Sequence, residues 1–317
     1  MGDSETLMES TVIKLGTRGS RLALAQANAV ALQLKSSLKR DVEIITIKTL
    51  GDQITDRPLR DIGTQGVFTK ELDEALLDGR IDVALHCLKD MPTTKVKNLE
   101  IAAYLPREEI HDCLVYPAGY KGPTSIESLP SGFRIGTSAI RRKAQILRKN
   151  QAVTVLECRG NLDTRMQKLL NGDIDVLCLA KAGLKRGGFT SDPRLMVVDL
   201  SERDFYPCAG QGCLVLQVLK SSELKKSMKR LNHKETEICV RYERDLLAML
   251  EGGCSLPLGV FSEIVDGEMI LKAILLNEDG NEFVTLSQAT RDLKDPLIAE
   301  NMLTEIRERN MQHLLPG

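Results

Sequence analysis

Three sets of residues in this chain have the types and spacing to do chemistry. The first is the adjacent pair Lys89 and Asp90 in HCLKDMP (residues 86–92), placed just where the apolar run of GRIDVAL ends. One reading is a solvated ion pair, worth little. The other is a charged pair at the mouth of a cleft, where open α/β sheets bind their ligands, with Asp90 stabilising a developing positive charge or moving protons. The second set is six arginines at turns and strand ends: Arg18 in KLGTRGS, Arg141 and Arg142 in RIGTSAIRR, Arg159 and Arg165 in ECRGNLDTR, and Arg186 closing VLCLAKAGLKR. Guanidinium forks suit carboxylates and phosphates, so together they describe a cleft for a ligand with many carboxylates. The third is Cys254 in LEGGCSLPLG (250–259), where flanking glycines let a bulky group approach a loop thiol. It is the best of the 8 cysteines for covalent attachment; a Cys–His hydrolase pair has no local signature at His86, His111, His233 or His313.

The elements that must position these residues follow from pattern. KLGTRGS (14–20) and RIGTSAIRR (134–142) each end a strand and open a helix, so Thr17, Ser20, Thr137 and Ser138 sit at helix starts. There they serve either as ordinary caps or as part of an anion site at the helix N-terminus. FTKELDEALLDGRIDVAL (68–85) has an echo in DTRMQKLLNGDIDVLCL (163–179). Strands alternating with amphipathic helices predict βαβ units, and the repeat predicts two similar lobes with a ligand cleft between them. The chain leaves the first lobe near LPREEIHD (105–112) and meets a Gly-rich crossover at YPCAGQGC (206–213), after which LVLQVL reads as a strand that rejoins the first sheet. From about residue 229 a helix stopped by two glycines, strand-like runs and a final helix predict a smaller third domain.

Composition narrows the classes. With 317 residues the chain is long enough for two or three domains. Aromatics are only 3% and Trp is absent, which argues for an aliphatic core and against stacking platforms for nucleic acid. The net charge of −1 hides a basic segment: residues 134–194 hold 13 Lys and Arg against 5 Asp and Glu. That suggests a small anionic ligand rather than a nucleic-acid coat. The cysteines form no C-x-x-C and read as reduced thiols. No run is apolar enough to span a membrane, and MGDSETLMES is polar rather than a signal peptide. A cytoplasmic location is expected, or an organelle after removal of a transit peptide.

Read in order, GTRGSRLALAQA, FTKEL, HCLKDMP, GTSAIRR, RGNLDTR, LAKAGLKR, GQG, LNHKET, YER and LEGGCSLPLG resemble the hydroxymethylbilane synthase (porphobilinogen deaminase) family over nearly the whole chain. The resemblance implies stepwise deamination and head-to-tail condensation of four porphobilinogen molecules to linear hydroxymethylbilane, in tetrapyrrole biosynthesis. It implies a dipyrromethane cofactor joined by a thioether to Cys254, and Asp90 as the catalytic carboxylate with Lys89 beside it as a catalytic and cofactor-binding residue. Arg18, Arg141, Arg142, Arg159, Arg165 and Arg186 fall on the family's carboxylate-binding positions, and Ser20, Thr137 and Ser138 on its hydrogen-bonding ones. Each porphobilinogen brings an acetate and a propionate, a growing charge that fixed guanidiniums can neutralise. Loss of ammonia leaves a cationic azafulvene that an anionic Asp90 would stabilise. The sequence departs from the family pattern at Gln65, Cys87, Ala139, Cys213, Gln217 and Leu219.

The expected fold is α/β: two lobes like type II periplasmic binding proteins, with mainly parallel sheets, plus a smaller C-terminal α+β domain. The expected boundaries are 1–107 with 213–228 for the first lobe, 108–212 for the second and 229–317 for the third domain. A monomer without metal, nucleic-acid or membrane partner is expected. Two rivals remain from the residues themselves: a non-catalytic two-lobed carboxylate receptor, which needs neither Asp90 nor a GGC loop, and a cysteine-nucleophile acyl transferase, which lacks a placed His.

Overall fold

Lys14 is exposed between buried Ile13 and Leu15 along β1 (Ile13–Arg18), the alternation of a strand with one face in a core. The structure, a computed structural model, describes residues 12–53, 66–250 and 256–315. Ser20 caps α1 (Arg21–Leu38), its hydroxyl accepting from the Ala23 N–H at 3.2 Å. That satisfies one of the donors a helix start leaves unpaired. Ala27, Val30 and Leu34 form the buried stripe of α1, and β2 (Val42–Ile47) then runs parallel to β1. After α2 (Leu50–Gln53) and α3 (Lys70–Leu77) come β3 (Val83–Cys87) and β4 (Leu99–Tyr104).

The second lobe holds β5 (Asp112–Pro117), β6 (Arg134–Thr137), α4 (Ile140–Lys149), β7 (Thr154–Glu157), α5 (Leu162–Leu170), β8 (Val176–Ala180), α6 (Lys181–Arg186) and β9 (Leu195–Asp199). The chain then returns through β10 (Leu214–Leu219) and α7 (Leu224–Met228). The sheet orders are β2-β1-β3-β10-β4 and β7-β6-β8-β5-β9, one topology used twice. Within each sheet four strands run the same way, as expected. The reversed one, β10 or β5, is the strand laid down directly after the chain crosses between lobes. LVLQVL thus does rejoin the first sheet. One local expectation differs. The strand of GRIDVAL continues through His86 and Cys87, because Val215 and Leu214 of β10 pair with them, and only then does a single 3-10 turn form at Leu88–Asp90.

The last unit stacks α8 (Lys234–Met249) and α9 (Ile298–Glu308) on an antiparallel sheet of β11 (Leu258–Val265), β12 (Glu268–Leu276) and β13 (Phe283–Thr290). Leu246, Leu271, Ala273, Leu275, Met302 and Ile306 are fully buried between them.

Two buried carboxylates tie the crossovers together. Glu243 of α8 takes both arms of Arg107 at 2.6 and 2.8 Å, and also accepts from the N–H of Gly210 and of Ser262. Arg107 lies on the outgoing crossover, Gly210 on the returning one and Ser262 on β11, so one side chain joins all three units. Asp112, at the start of β5, meets Arg141 at 2.8 Å, Arg142 at 2.9 Å and the Gln211 amide at 2.9 Å. Where the crossovers pass each other, Gly212 has φ +83°, and a Cβ there would stand 2.5 Å from the Glu108 carbonyl oxygen. Only glycine fits.

Candidate active site

The ends of β1 and β3, the start of α1 and the end of α6 converge on a cleft between the lobes, lined by Arg18, Ser20, Lys89 and Asp90 on one side and Arg186 on the other. Of the residues singled out from the sequence, the cleft brings these five together. Asp90 ends the 3-10 turn that follows β3, and among the described residues the cation it pairs with is Arg18, whose Nη1 lies at 3.9 Å, too far for a hydrogen bond. Its carboxylate is therefore poised over the cleft with acceptor capacity left for a ligand N–H. Lys89 is not its ion-pair partner among the described residues, because successive side chains on a 3-10 turn diverge by a third of a revolution. The Arg18 guanidinium lies 4.2 Å from the centre of the Phe68 ring, a cation–π contact that fixes its plane. Arg186 donates to the Gly212 carbonyl at 2.7 Å, anchoring the second-lobe cation to the returning crossover. At the rim, Arg21 of α1 pairs with Asp163 of α5 at 2.9 Å.

Arg165 carries the most telling electrostatics. Its Nε donates to the Gly160 carbonyl at 2.8 Å, and among the described residues no carboxylate pairs with it. Burial, then the charges of Arg142 and Arg159, pull its pKa down to about 10, while Cys158 and Asp90 act the other way. Arg159 approaches Glu157 no closer than 3.9 Å and buries an Nη1 without a partner among the described residues. Such a group of guanidiniums is under-neutralised, and ligand carboxylates would relieve it.

Two of the six arginines lie in the interior. Arg141 and Arg142 are only 4% and 6% exposed, and their donors go to Asp112 and to the carbonyls of Tyr206 and Cys178. A fully buried carboxylate needs such partners, so a ligand would have to compete with Asp112 for them. The hydroxyls divide as well. Ser20 is spent as the α1 cap, and Thr137 accepts from the Ala139 N–H at 3.3 Å at the start of α4; Ser138 is half-buried beside it. With Ala139 as the residue before α4, that helix has no side-chain cap. Cys254 lies outside the described residues, as does Gln65; α8 ends at Met249, five residues before the cysteine.

Residue types alone did not reveal Phe68 under Arg18, nor the buried hydrogen bond of 2.9 Å between His86 and Gln217 beneath the cleft. The YER motif was legible, but the partners of Glu243 and Arg244 lie far away in sequence.

Fold and site define a two-lobed α/β protein whose inter-lobe cleft brings Asp90 together with Arg18, Lys89 and Arg186, with a third unit docked against the hinge. The family model described as "Porphobilinogen deaminase, dipyromethane cofactor binding domain" matches residues 13–227, and "Porphobilinogen deaminase, C-terminal domain" matches 237–303. The chain belongs to the porphobilinogen deaminase family. It is 39% identical to the porphobilinogen deaminase of Desulfitobacterium hafniense, over 93% of this chain and 97% of that protein. It is 38% identical to the chloroplastic enzyme of Oryza sativa subsp. japonica, over 88% of this chain and 78% of that one. Among solved structures, the periplasmic VFT2 domain of Bordetella pertussis BvgS aligns with a TM-score of 0.43 at 14% identity, over 69% of this chain and 86% of that one.

Proposed function

We infer that this cleft performs the hydroxymethylbilane synthase reaction, releasing ammonia from each of four porphobilinogen molecules and joining them head to tail. The single observation that carries the reading is the Asp90 carboxylate set among Arg18, Lys89 and Arg186 in the inter-lobe cleft. The donor set fits a dipyrromethane cofactor. Its acetate and propionate groups are acceptors that guanidiniums can bind in bidentate fashion. When bound through Cys254, that group supplies the tether and the pyrrole terminus from which the product grows.

We propose roles for the side chains, of which Arg18, Ser20, Lys89, Asp90 and Arg186 line the cleft. Arg18, Lys89, Arg159, Arg165 and Arg186 bind and orient carboxylates from both lobes, with Ser20, Thr137 and Ser138 at the helix starts beside them. Asp90 supplies a fixed negative charge where porphobilinogen becomes cationic as ammonia departs, and preorganised charge of this kind acts without reorganising in the transition state. Arg141 and Arg142 reach the ligand only by sharing with Asp112. We further propose the domain division 1–107 with 213–228, 108–212 and 229–317, supported by β10 pairing within the first sheet. We propose that the enzyme acts as a monomer. No helix among the described residues is long and apolar enough to cross a membrane, and we propose that the enzyme acts in the cytoplasm or an organelle interior.

The test is the intact mass of the denatured protein against the bare chain. The expected result is an added mass of two deaminated porphobilinogen units, absent from Cys254→Ala, which also makes no bilane. A bare mass that incubation with porphobilinogen leaves unchanged overturns the reading.

A further inference from the structure

The YER motif, residues 242–244, sends three side chains in three directions from α8. The Tyr242 hydroxyl donates to the Asp292 carbonyl within the third unit, and Glu243 binds the hinge. Arg244 reaches the turn that carries Asp90. Its Nη1 donates to the carbonyls of Leu88 at 3.3 Å and Met91 at 3.0 Å, and its Nη2 to that of Pro92 at 2.6 Å. The three acceptors bracket Lys89 and Asp90 on both sides. Four residues earlier on the same face of α8, Val240 is fully buried in a cluster with Leu88, Cys213 and Val215. The Leu88 N–H meanwhile donates to the Cys213 carbonyl at 3.0 Å. The turn is therefore pinned at its start to Cys213, the residue before β10, and at its end to α8.

A purely structural role fits this arrangement poorly. Among the described residues no carboxylate pairs with Arg244, and burial lowers its pKa. A half-buried charge without a counter-charge is costly, and an apolar side chain would pack against Val240 and Leu88 at lower cost. What an apolar residue cannot do is fix three carbonyls of an irregular turn at once.

We propose that Arg244 is a positioning residue for the condensation: it holds the Leu88–Pro92 segment so that the Asp90 carboxylate faces the cleft. It also couples the placement of that carboxylate to α8, the helix that leads into the segment containing Cys254. The proposal rests on the reading of Asp90 as the charge that stabilises the cationic substrate.

The experiment is a double-mutant cycle on cofactor-loaded enzyme, with loading verified by intact mass. The variants are Arg244→Met, Asp90→Asn and the two combined. Arg244→Met is expected to lower kcat by about tenfold or more at nearly constant KM for porphobilinogen. The same change made in Asp90→Asn should lower it no further, since no charge is left to position. Hydrogen exchange at the Met91 amide, which donates to the Leu88 carbonyl at 3.1 Å, should become faster in Arg244→Met. Arg244→Lys keeps the charge but cannot span three acceptors, and it carries the same cycle should the Met variant not accumulate folded. Equal losses in both backgrounds, a wild-type kcat in Arg244→Met, or unchanged exchange at Met91 overturns the proposal. A wild-type rate in Asp90→Asn alone identifies the reading of Asp90 as the failure instead.

Discussion

Arg165 is asked to stay charged in a place that disfavours charge, with Arg142 and Arg159 nearby and no carboxylate partner among the described residues. Stability and function should therefore pull in opposite directions at this one residue. Arg165→Gln relieves the repulsion and is expected to raise the Tm of cofactor-free protein by roughly 2 °C or more. The same change removes a charge-assisted hydrogen bond to a ligand carboxylate and should lower kcat/KM by about 10–100-fold. Thermal melts and steady-state rates on one preparation check both. A variant that loses stability together with activity would assign Arg165 to the scaffold. Asp90 shows the complementary case, a carboxylate kept at 3.9 Å from Arg18, the cation it pairs with among the described residues, and so left with acceptor capacity.

At the scale of elements, α3 packs a carboxylate into the wall beneath the cleft. Asp73 is buried, and its Oδ1 has no partner among the described residues. Burial raises its pKa from 3.8 to about 6, offset only in part by a hydrogen bond with Gln217, while Glu74 adds repulsion. Because the folded value lies above the unfolded one, the fold takes up a proton between pH 3.8 and about 6. The resulting stabilisation is complete below the lower value and lost as pH rises through the upper. Asp73→Asn removes the ionised form, so its Tm should exceed that of wild type at pH 7.5, and the difference should vanish by pH 4. Melts across that range decide it, and a flat difference would mean that the carboxyl is not desolvated. The neighbouring helix α1 is ordinary by contrast. Its cap, its buried stripe and its left-handed end at Lys39 (φ 55°) are all local and could be read from GSRLALAQ onward.

For the whole molecule the hinge matters most, since both crossovers and the third unit converge on Glu243 and Asp112. Burial of Asp112 favours its neutral form, but Arg141 and Arg142, with the Gln211 hydrogen bond, outweigh that and hold its carboxyl well below the usual carboxylate range. The sign is that of a depressed acid: the stabilisation is present above the unfolded value of 3.8 and is lost as pH falls toward the folded one. Asp112→Asn leaves two buried guanidiniums without a counter-charge and should cost about 3–5 kcal/mol in denaturant unfolding at neutral pH. A cost below about 1 kcal/mol would mean that water or other groups solvate the arginines.

Much of this protein was determined by its sequence alone. The Gly-Thr turns, the doubled Ile-Asp-Val strands and the switch of pattern near residue 229 are each set by nearest neighbours in the chain, through alternation, capping and side-chain type. The ordered motifs likewise carried the family. Only the tertiary structure decided how shared groups are divided. Strand β3 runs on through His86 and Cys87 because β10 arrives beside it from more than a hundred residues away. Arg141 and Arg142 turn to Asp112 rather than outward, Asp90 answers to Arg18 rather than to Lys89, and Arg244 closes on the carbonyls of Leu88, Met91 and Pro92. Each of these is a competition among donors and acceptors brought together by folding, and its outcome depends on distance and burial, which no residue's own position in the chain contains.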